Sequence, residues 1–504
     1  MEKNHVTSSA RRLPALALAL ALMTGVVCGA VPRAALAVEG EAAAATETTP
    51  DAEAAAPAEG AAAEAGATWS ADAPPEVSAP VALLVDRTTG TVLYEREADA
   101  LRTPASLTKV MTALVTLERA NLDDVVTVEQ ADLDNLTPES SVAGLKAGET
   151  LTVRDLLACL LIPSGNDAAY VLARHVGGDW QTFVGMMNER ATSLGCASTS
   201  FADPCGLSSD IVTTARDLVT IFEAALEHPE FLEIAGSATW DLPATEKNPA
   251  RTLETTDALI VSDSPVYMGE TVIASKTGFT NDAGKCLLAA AERDGMSLVG
   301  IVMGASDETD EDGITPNFYD LRDLFEWGFG AWVTGNVVSA GDVLASREVT
   351  LSKDGDAVDA VATGSIFATV PRGTTVADLT VAVPWEGTEP LQAPVKEDTN
   401  LGRVSVSLDG RTLGTVGVRT ASEMELSIPD FAIWWVTSDP VHMGIVAGGV
   451  AVLFVLVGTI AALASRTRRK DRDAAQVTIE PGVPGHVPSH AAGGAEPKHG
   501  KHAK

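Results

Sequence analysis

The 504-residue chain is short of positive charge. It carries 35 Lys and Arg against 69 Asp and Glu, a formal net charge of -34, so it lacks the basic stripe that nucleic acid requires. The acidity serves solubility, and lysines gathered inside a cleft would be a local exception. Histidine is scarce as well. Between residues 80 and 335 only His175 and His228 occur, and His175 falls inside a helical pattern, so a Ser-His-Asp triad has few candidates. No set of His and carboxylates shows the spacing of a zinc site. No metal and no cofactor are implied. Five cysteines are too few for a disulfide scaffold in an exported chain of this length. Cys196 and Cys205 are near enough in sequence to pair, and that option stays open. Cys159 and Cys286 sit in apolar runs and are expected to be buried thiols.

Long apolar runs occur only at the two ends. Arg11 and Arg12 precede Leu13 to Val27, and small residues follow at Ala35-Leu36-Ala37. This reads as an export signal, residues 1–37. Residues 38–79 are rich in Ala, Glu, Thr and Pro, a composition that cannot bury a core, and are expected to form a disordered linker. Near the other end, Trp434 and Trp435 precede an uncharged apolar segment, and Arg466, Arg468, Arg469 and Lys470 follow it. That pattern predicts a single transmembrane helix over 441–465, with the disordered tail 466–504 in the cytoplasm and the folded part outside the cell membrane.

Between these ends the pattern changes twice. Val81 to Val85 and Thr91 to Tyr94 read as strands around a Thr88-Thr89-Gly90 turn. Helical periods follow, with capping signals at Thr152/Asp155 and Thr214/Asp217. Strands return at Thr271 to Thr277, Lys285 to Ala291 and Ser297 to Met303, the last two joined by the hairpin pair Asp294-Gly295. A helix near Phe318 to Phe325 closes the unit. Residues 80–335 thus predict an α+β domain whose first and last strands share one sheet. From 336 to 430 helical periodicity disappears and short alternating runs such as Val404 to Leu408 predict a small all-β domain.

Three short boxes carry the chemistry. Ser106-Leu107-Thr108-Lys109 opens an apolar run of helical spacing, so the amine and the hydroxyl share a face. A serine is a weak nucleophile until a neighbour takes its proton, and burial or a second cation can make a lysine amine neutral enough to do so. Ser164-Gly165-Asn166 lies in a loop and Lys276-Thr277-Gly278 ends a strand. Each box alone is common: Lys276 would pass for a strand-edge charge and Asn166 for a helix cap. The ordered set on helix, loop and strand is highly specific.

The set resembles the serine-type D-alanyl-D-alanine carboxypeptidases, low-molecular-mass penicillin-binding proteins of the β-lactamase/transpeptidase-like superfamily. The likeness extends to Leu161-Ile-Pro-Ser-Gly-Asn-Asp-Ala-Ala169, Lys276-Thr-Gly-Phe-Thr-Asn-Asp-Ala-Gly284 and, in the β region, Leu391-Gln-Ala-Pro-Val395. It implies an antiparallel sheet with a helical cluster, peptidoglycan stem peptides as substrate, β-lactam antibiotics as covalent inhibitors, and anchorage to the cytoplasmic membrane. Ser106 is then the nucleophile and Lys109 its general base. Ser164 relays a proton to the departing D-alanine. Lys276 and Thr277 hold the terminal carboxylate, and Lys276 also lowers the proton affinity of Lys109. Asn166 either binds the substrate amide or holds the Lys109 side chain. Gly278 lets substrate backbone lie on the strand edge. The resemblance also implies an oxyanion hole from the backbone N–H of Ser106 and of Phe279, each donor worth roughly 3 kcal/mol.

One departure stands out. Many family members carry an arginine in the loop after the strand that follows the Lys-Thr-Gly box. Here Ala305 to Asn317 is acidic and has none. No glutamate can be placed in a β-lactamase-like deacylation loop, so fast β-lactam hydrolysis is not expected. The competing readings are a D,D-endopeptidase or β-lactamase of the same superfamily, and a non-catalytic wall-binding or β-lactam-sensing protein.

Overall fold

Val81–Asp86 (β1) is apolar at its first five positions, and alternate side chains of a strand point to opposite faces, so such a strand needs a cover on both. In the computed structural model, which describes residues 73–138 and 140–474, β1 is an interior strand of a five-stranded antiparallel sheet. The other strands are β2 (Val92–Arg96), β3 (Val272–Thr280), β4 (Gly284–Arg293) and β5 (Met296–Ala305). Their order is β2-β1-β5-β4-β3. The first and last strands of the domain therefore meet, as the α+β reading expects. The signal peptide, the linker up to residue 72 and the tail beyond 474 lie outside the described residues.

Helices cover both faces. On one side stand α1 (Thr108–Arg119), α2 (Val153–Leu161), α3 (Asn166–Gly177), α4 (Trp180–Ser193), α5 (Ala215–Leu226) and α6 (Pro229–Ala235). Val81, Leu83 and Val85 point into that cluster. On the other side Ala82 and Leu84 meet Leu321, Leu324 and Phe325 of α7 (Pro316–Ala331). The caps form where the residue types call for them: the Thr152 and Thr214 hydroxyls accept from Asp155 N and Asp217 N at 3.1 Å. Buried α1 is enclosed by α2, α3, α4 and α5. Asp294 and Gly295 both have positive φ and turn β4 into β5.

Four boundaries differ from the sequence reading. Residues 77–79, assigned to the linker, are packed: Val77 and Ala79 are buried, and the Asp320 carboxylate accepts from Ser78 N, Ser78 Oγ and Ala79 N at 2.8–2.9 Å. β3 does not stop before Gly278 but runs to Thr280. The β domain begins at Trp332, directly after α7, rather than at 336. The C-terminal helix α9 (Pro440–Ala474) continues into the segment read as tail, because no Gly or Pro interrupts residues 459–474. A further helix, α8 (Ile428–Ser438), precedes it.

The β domain holds a two-stranded ribbon, Trp332–Val338 with Ile366–Pro371, and a six-stranded sheet. Val338 and Ile366 of the ribbon share a core with Val404, Val406, Val416 and Val418. The ribbon is fastened to the first domain. Asp86 at the end of β1 accepts from Thr334 Oγ1, Thr89 Oγ1 bonds Thr369 Oγ1 at 2.6 Å, and Arg372 donates to the carbonyls of Phe329, Gly330 and Trp332 at 2.8–3.1 Å. Among the described residues one helix, Pro440–Thr467, is long and apolar enough to cross a membrane.

Replacing Asp320 by Ala strands the buried Ala79 N–H and the part-buried Ser78 N–H and hydroxyl. Its expected cost is about 2–4 kcal/mol, measured as a fall in the urea midpoint. Asp323→Ala, which removes an exposed pair with Arg322, is expected to cost less than about 0.5 kcal/mol.

Candidate active site

Ser106 occupies a 3-10 turn, Ala105–Leu107, that runs straight into α1. Lys109 follows one turn later with 0% of its surface exposed. Its Nζ donates to Ser106 Oγ at 2.7 Å and to the Cys205 carbonyl at 3.1 Å. Burial lowers the Lys109 pKa from 10.5 to about 8, against the pull of the Asp203 and Asp167 carboxylates. Once deprotonated, the amine holds a lone pair within 2.7 Å of the serine oxygen, inside proton-transfer range. The sequence reading offers burial or a second cation for this tuning. Here burial is its main cause, and the charge coupling falls on Lys276, whose amine is pushed well below its ordinary range by burial first and Lys109 second.

The sequence reading does not single out the loop that presents the Cys205 carbonyl. Asp203 organises it: its carboxylate accepts from Cys205 N at 2.8 Å, Gly206 N at 2.5 Å, Leu207 N at 3.0 Å and Ser208 N at 2.5 Å. Thr112 on α1 donates to Pro204 O at 2.6 Å. Gly206 has φ +91°, and a Cβ there would fall 1.8 Å from Ala105 O, so the loop lies directly on the Ser106 turn. The signal in the sequence is Asp203-Pro204 followed by Gly206, a turn whose Asp side chain bonds its own backbone. Cys196 and Cys205 do not pair. All four described cysteines are buried and free. Cys205 Sγ faces Tyr170 and Cys196 Sγ faces the Asp217 carbonyl, and burial pushes both thiols up to about 12.

The second box sits between α2 and α3. Ser164 is buried with φ +63°, a strained position for a serine. Asn166 is the first residue of α3 and its N–H donates to Ser141 O at 2.8 Å. Ser164 Oγ and Asn166 Oδ1 are both buried without a protein partner. Such atoms cost free energy unless a ligand or water meets them. Asn166 does not supply the second anchor of Lys109, since the Cys205 carbonyl does. Asp167, next in line, accepts from Ala143 N and Leu145 N at 3.0 Å and holds that loop against α3.

The third box lies on β3, the edge strand of the sheet. A Cβ at Gly278 would stand 3.1 Å from Pro104 O and 3.3 Å from Ser106 N and Leu107 N. Gly278 is thus present for closeness to the serine turn, not as a strand stop. Lys276, two residues earlier, shares that face. It is 1% exposed, and its Nζ donates to Thr277 O at 2.9 Å. Thr277 Oγ1 bonds Thr256 Oγ1. Phe279 is 41% exposed, with Lys285 Nζ 4.2 Å from its ring centre. The acidic loop after β5 closes on itself: Asp310 accepts from Tyr319 OH at 2.5 Å and Ile314 N at 2.8 Å. His175 lies by Asp124 and His228 starts α6. Neither meets Ser106.

A serine under a buried amine, flanked by a sheet edge that carries a second buried amine, places the fold in the transpeptidase-like α+β class. Residues 68–307 match the D-alanyl-D-alanine carboxypeptidase family, and residues 332–426 match the C-terminal domain of penicillin-binding protein 5. The chain is 36% identical over 262 residues to D-alanyl-D-alanine carboxypeptidase DacB2 of Mycobacterium tuberculosis, covering 51% of this chain and 84% of that protein. It is 31% identical over 351 residues to DacC of Escherichia coli, covering 67% and 82%. A D-alanyl-D-alanine endopeptidase of Escherichia coli is 34% identical over 258 residues, covering 50% and 78%. The crystal structure of penicillin-binding protein 5 from Haemophilus influenzae aligns with a TM-score of 0.51 and 26% identity, over 70% of this chain and 99% of that one. The chain belongs to the D-alanyl-D-alanine carboxypeptidase family.

Gly206→Ala combines a positive φ with an overlap on Ala105 O. It is expected to destabilise the protein by about 2–4 kcal/mol and to slow acylation of Ser106 by a fluorescent penicillin. Gly195→Ala, also at positive φ but with nothing within 4 Å of its Cβ, is expected to leave the acylation rate unchanged.

Proposed function

We propose that the chain is a membrane-anchored serine D,D-carboxypeptidase that removes the terminal D-alanine from peptidoglycan stem pentapeptides. The observation that carries this reading is the 2.7 Å contact between a fully buried amine and the Ser106 hydroxyl. Neutral Lys109 takes the hydroxyl proton as Ser106 Oγ bonds the carbonyl carbon of the penultimate D-alanine. The oxyanion lies on the N–H groups of Ser106 and Phe279. The C–N bond breaks, the departing amine receives its proton by way of Ser164, and the acyl group stays on Ser106. Water then cleaves the ester and restores the hydroxyl. Lys276 and Thr277 hold the terminal carboxylate of the substrate, while Asn166, with its unpartnered Oδ1, meets a substrate amide N–H. β-Lactams enter the same path and stop at the acyl-enzyme.

The apolar helix Pro440–Thr467 supports the anchoring. At about 1.5 Å per residue it spans a bilayer. The tryptophans before it and the basic cluster after it support a catalytic domain on the extracytoplasmic face, where peptidoglycan lies.

Purified protein is expected to release D-alanine from a peptide ending in D-Ala-D-Ala, identified by mass, and Ser106→Ala is expected to lower kcat by about a thousandfold or more. Faster cleavage of crosslinked muropeptides would move the reading to an endopeptidase, and rapid nitrocefin turnover to a β-lactamase. Penicillin labelling without any peptide turnover would leave a sensor.

The lowered pKa of Lys109 sets a pH dependence. The base works deprotonated, and below a pKa of about 8 its neutral fraction falls about tenfold per pH unit. The acylation rate by penicillin should therefore rise about tenfold from pH 6 to pH 7 and level off above pH 8. Lys109→Ala should lose acylation more completely than Ser164→Ala. Acylation of Lys109→Ala at the parent rate would remove the general-base assignment.

A further inference from the structure

The outer edge of β3 is not uniform. Along Ser275 to Thr277 it is met by the segment Thr255 to Asp257. Thr256 Oγ1 bonds Thr277 Oγ1, and Asp257 shares a small crevice with Ser275, Lys276, Thr277 and Ile162. Asp257 is 2% exposed. One of its carboxylate oxygens accepts from Leu259 N at 2.8 Å, and the other is buried with no hydrogen-bond partner. A buried carboxylate with one oxygen so placed is costly unless a positive charge compensates it.

The charges nearby are two buried amines. Asp203 and Asp167 act on Lys109. For Lys276 the opposing influences are burial and Lys109 on one side and Asp257 on the other. Asp257 makes no ion pair with Lys276 within 4 Å, so it acts through the field of a water-poor crevice, where charges are weakly screened. Burial raises the Asp257 carboxyl, while the Ser275 hydroxyl, the Leu259 N–H and Lys276 pull it back. Each charge favours the charged form of the other, against a burial that disfavours both.

We propose that Asp257 is a positioning residue for Lys276: its buried carboxylate is the counter-charge that keeps Lys276 an ammonium beside Lys109, and through it sets affinity for the terminal carboxylate of the substrate. This rests on the role given to Lys276 above. It divides the labour among three carboxylates, with Asp203 and Asp167 serving the nucleophile's amine and Asp257 serving the amine that recognises substrate.

The test uses full-length protein in detergent and two thioesters of an acylated D-alanine. One has a leaving group that bears a carboxylate, thioglycolate, and the other has the methyl ester of that group. In the parent, the carboxylate-bearing thioester should have the lower KM. Asp257→Asn keeps shape and the Leu259 contact but loses charge. It should raise KM for the carboxylate-bearing thioester about tenfold, with kcat within about twofold, and leave the neutral thioester unchanged. Asp257→Glu should recover at least half of the lost discrimination. Should Asp257→Asn fail to fold, Asp257→Ser, smaller and also neutral, makes the same measurement. An equal loss on both thioesters would mean a merely structural role and overturn the proposal. Discrimination that survives loss of the charge would overturn it alone. A parent enzyme with no preference between the two would overturn it together with the reading of Lys276.

Discussion

The site depends on taking one amine out of water. Lys109 is on a helix that the fold encloses on all sides, and an ammonium in such a place loses most of its hydration. Two acceptors remain, a hydroxyl on its own helix entrance and a carbonyl from a loop 96 residues later. The fold makes up part of the lost hydration with carboxylates that are themselves occupied. Asp203 satisfies four backbone N–H groups and Asp167 holds a neighbouring loop. The outcome is an amine poised near neutrality beside a hydroxyl, with little freedom to be anywhere else.

The sheet sets the other wall. Because β3 is the last strand, its outer side has no strand partner, and a glycine lets it approach the serine turn within about a van der Waals contact. The edge is divided: Thr255 to Asp257 meet its first half, while Phe279 at the second half is open to solvent. The open part of the edge thus lies beyond the buried Lys276. Exposed strand edges are ordinarily a hazard for aggregation. Here the edge is short, and it is shielded on one side and crowded by the serine turn on the other.

What could be read in the chain beforehand follows the range of the interactions. Ser106 and Lys109 are three residues apart on a helix, and Thr152, Thr214 and Asp294-Gly295 act within four residues of themselves, so local rules reach them. The resemblance of the three ordered boxes supplied the rest of the proposed site. The loop at Asp203 and the buttress at Thr256 and Asp257 were missed because their meaning lies in contacts across about 20 to 100 residues. Gly278 was misjudged as a strand end for a related reason: a glycine needed for close approach looks the same in sequence as one needed for a turn. Helix α8 was absent from the reading because its apolar residues are exposed and give no core-facing period. The last residues of the linker, 77–79, are held by an aspartate 241 to 242 residues away.

The second anchor of Lys109 is a main-chain oxygen. Any residue at position 205 would provide it, so what limits that position is the fit of a buried side chain beside Tyr170 and not the identity of the anchor. Changes that abolish the anchor must instead act on the path of the backbone, at Asp203, Pro204 or Gly206. Tolerance maps of this enzyme would therefore report the shape of the loop and the packing at position 205, and never the contact itself.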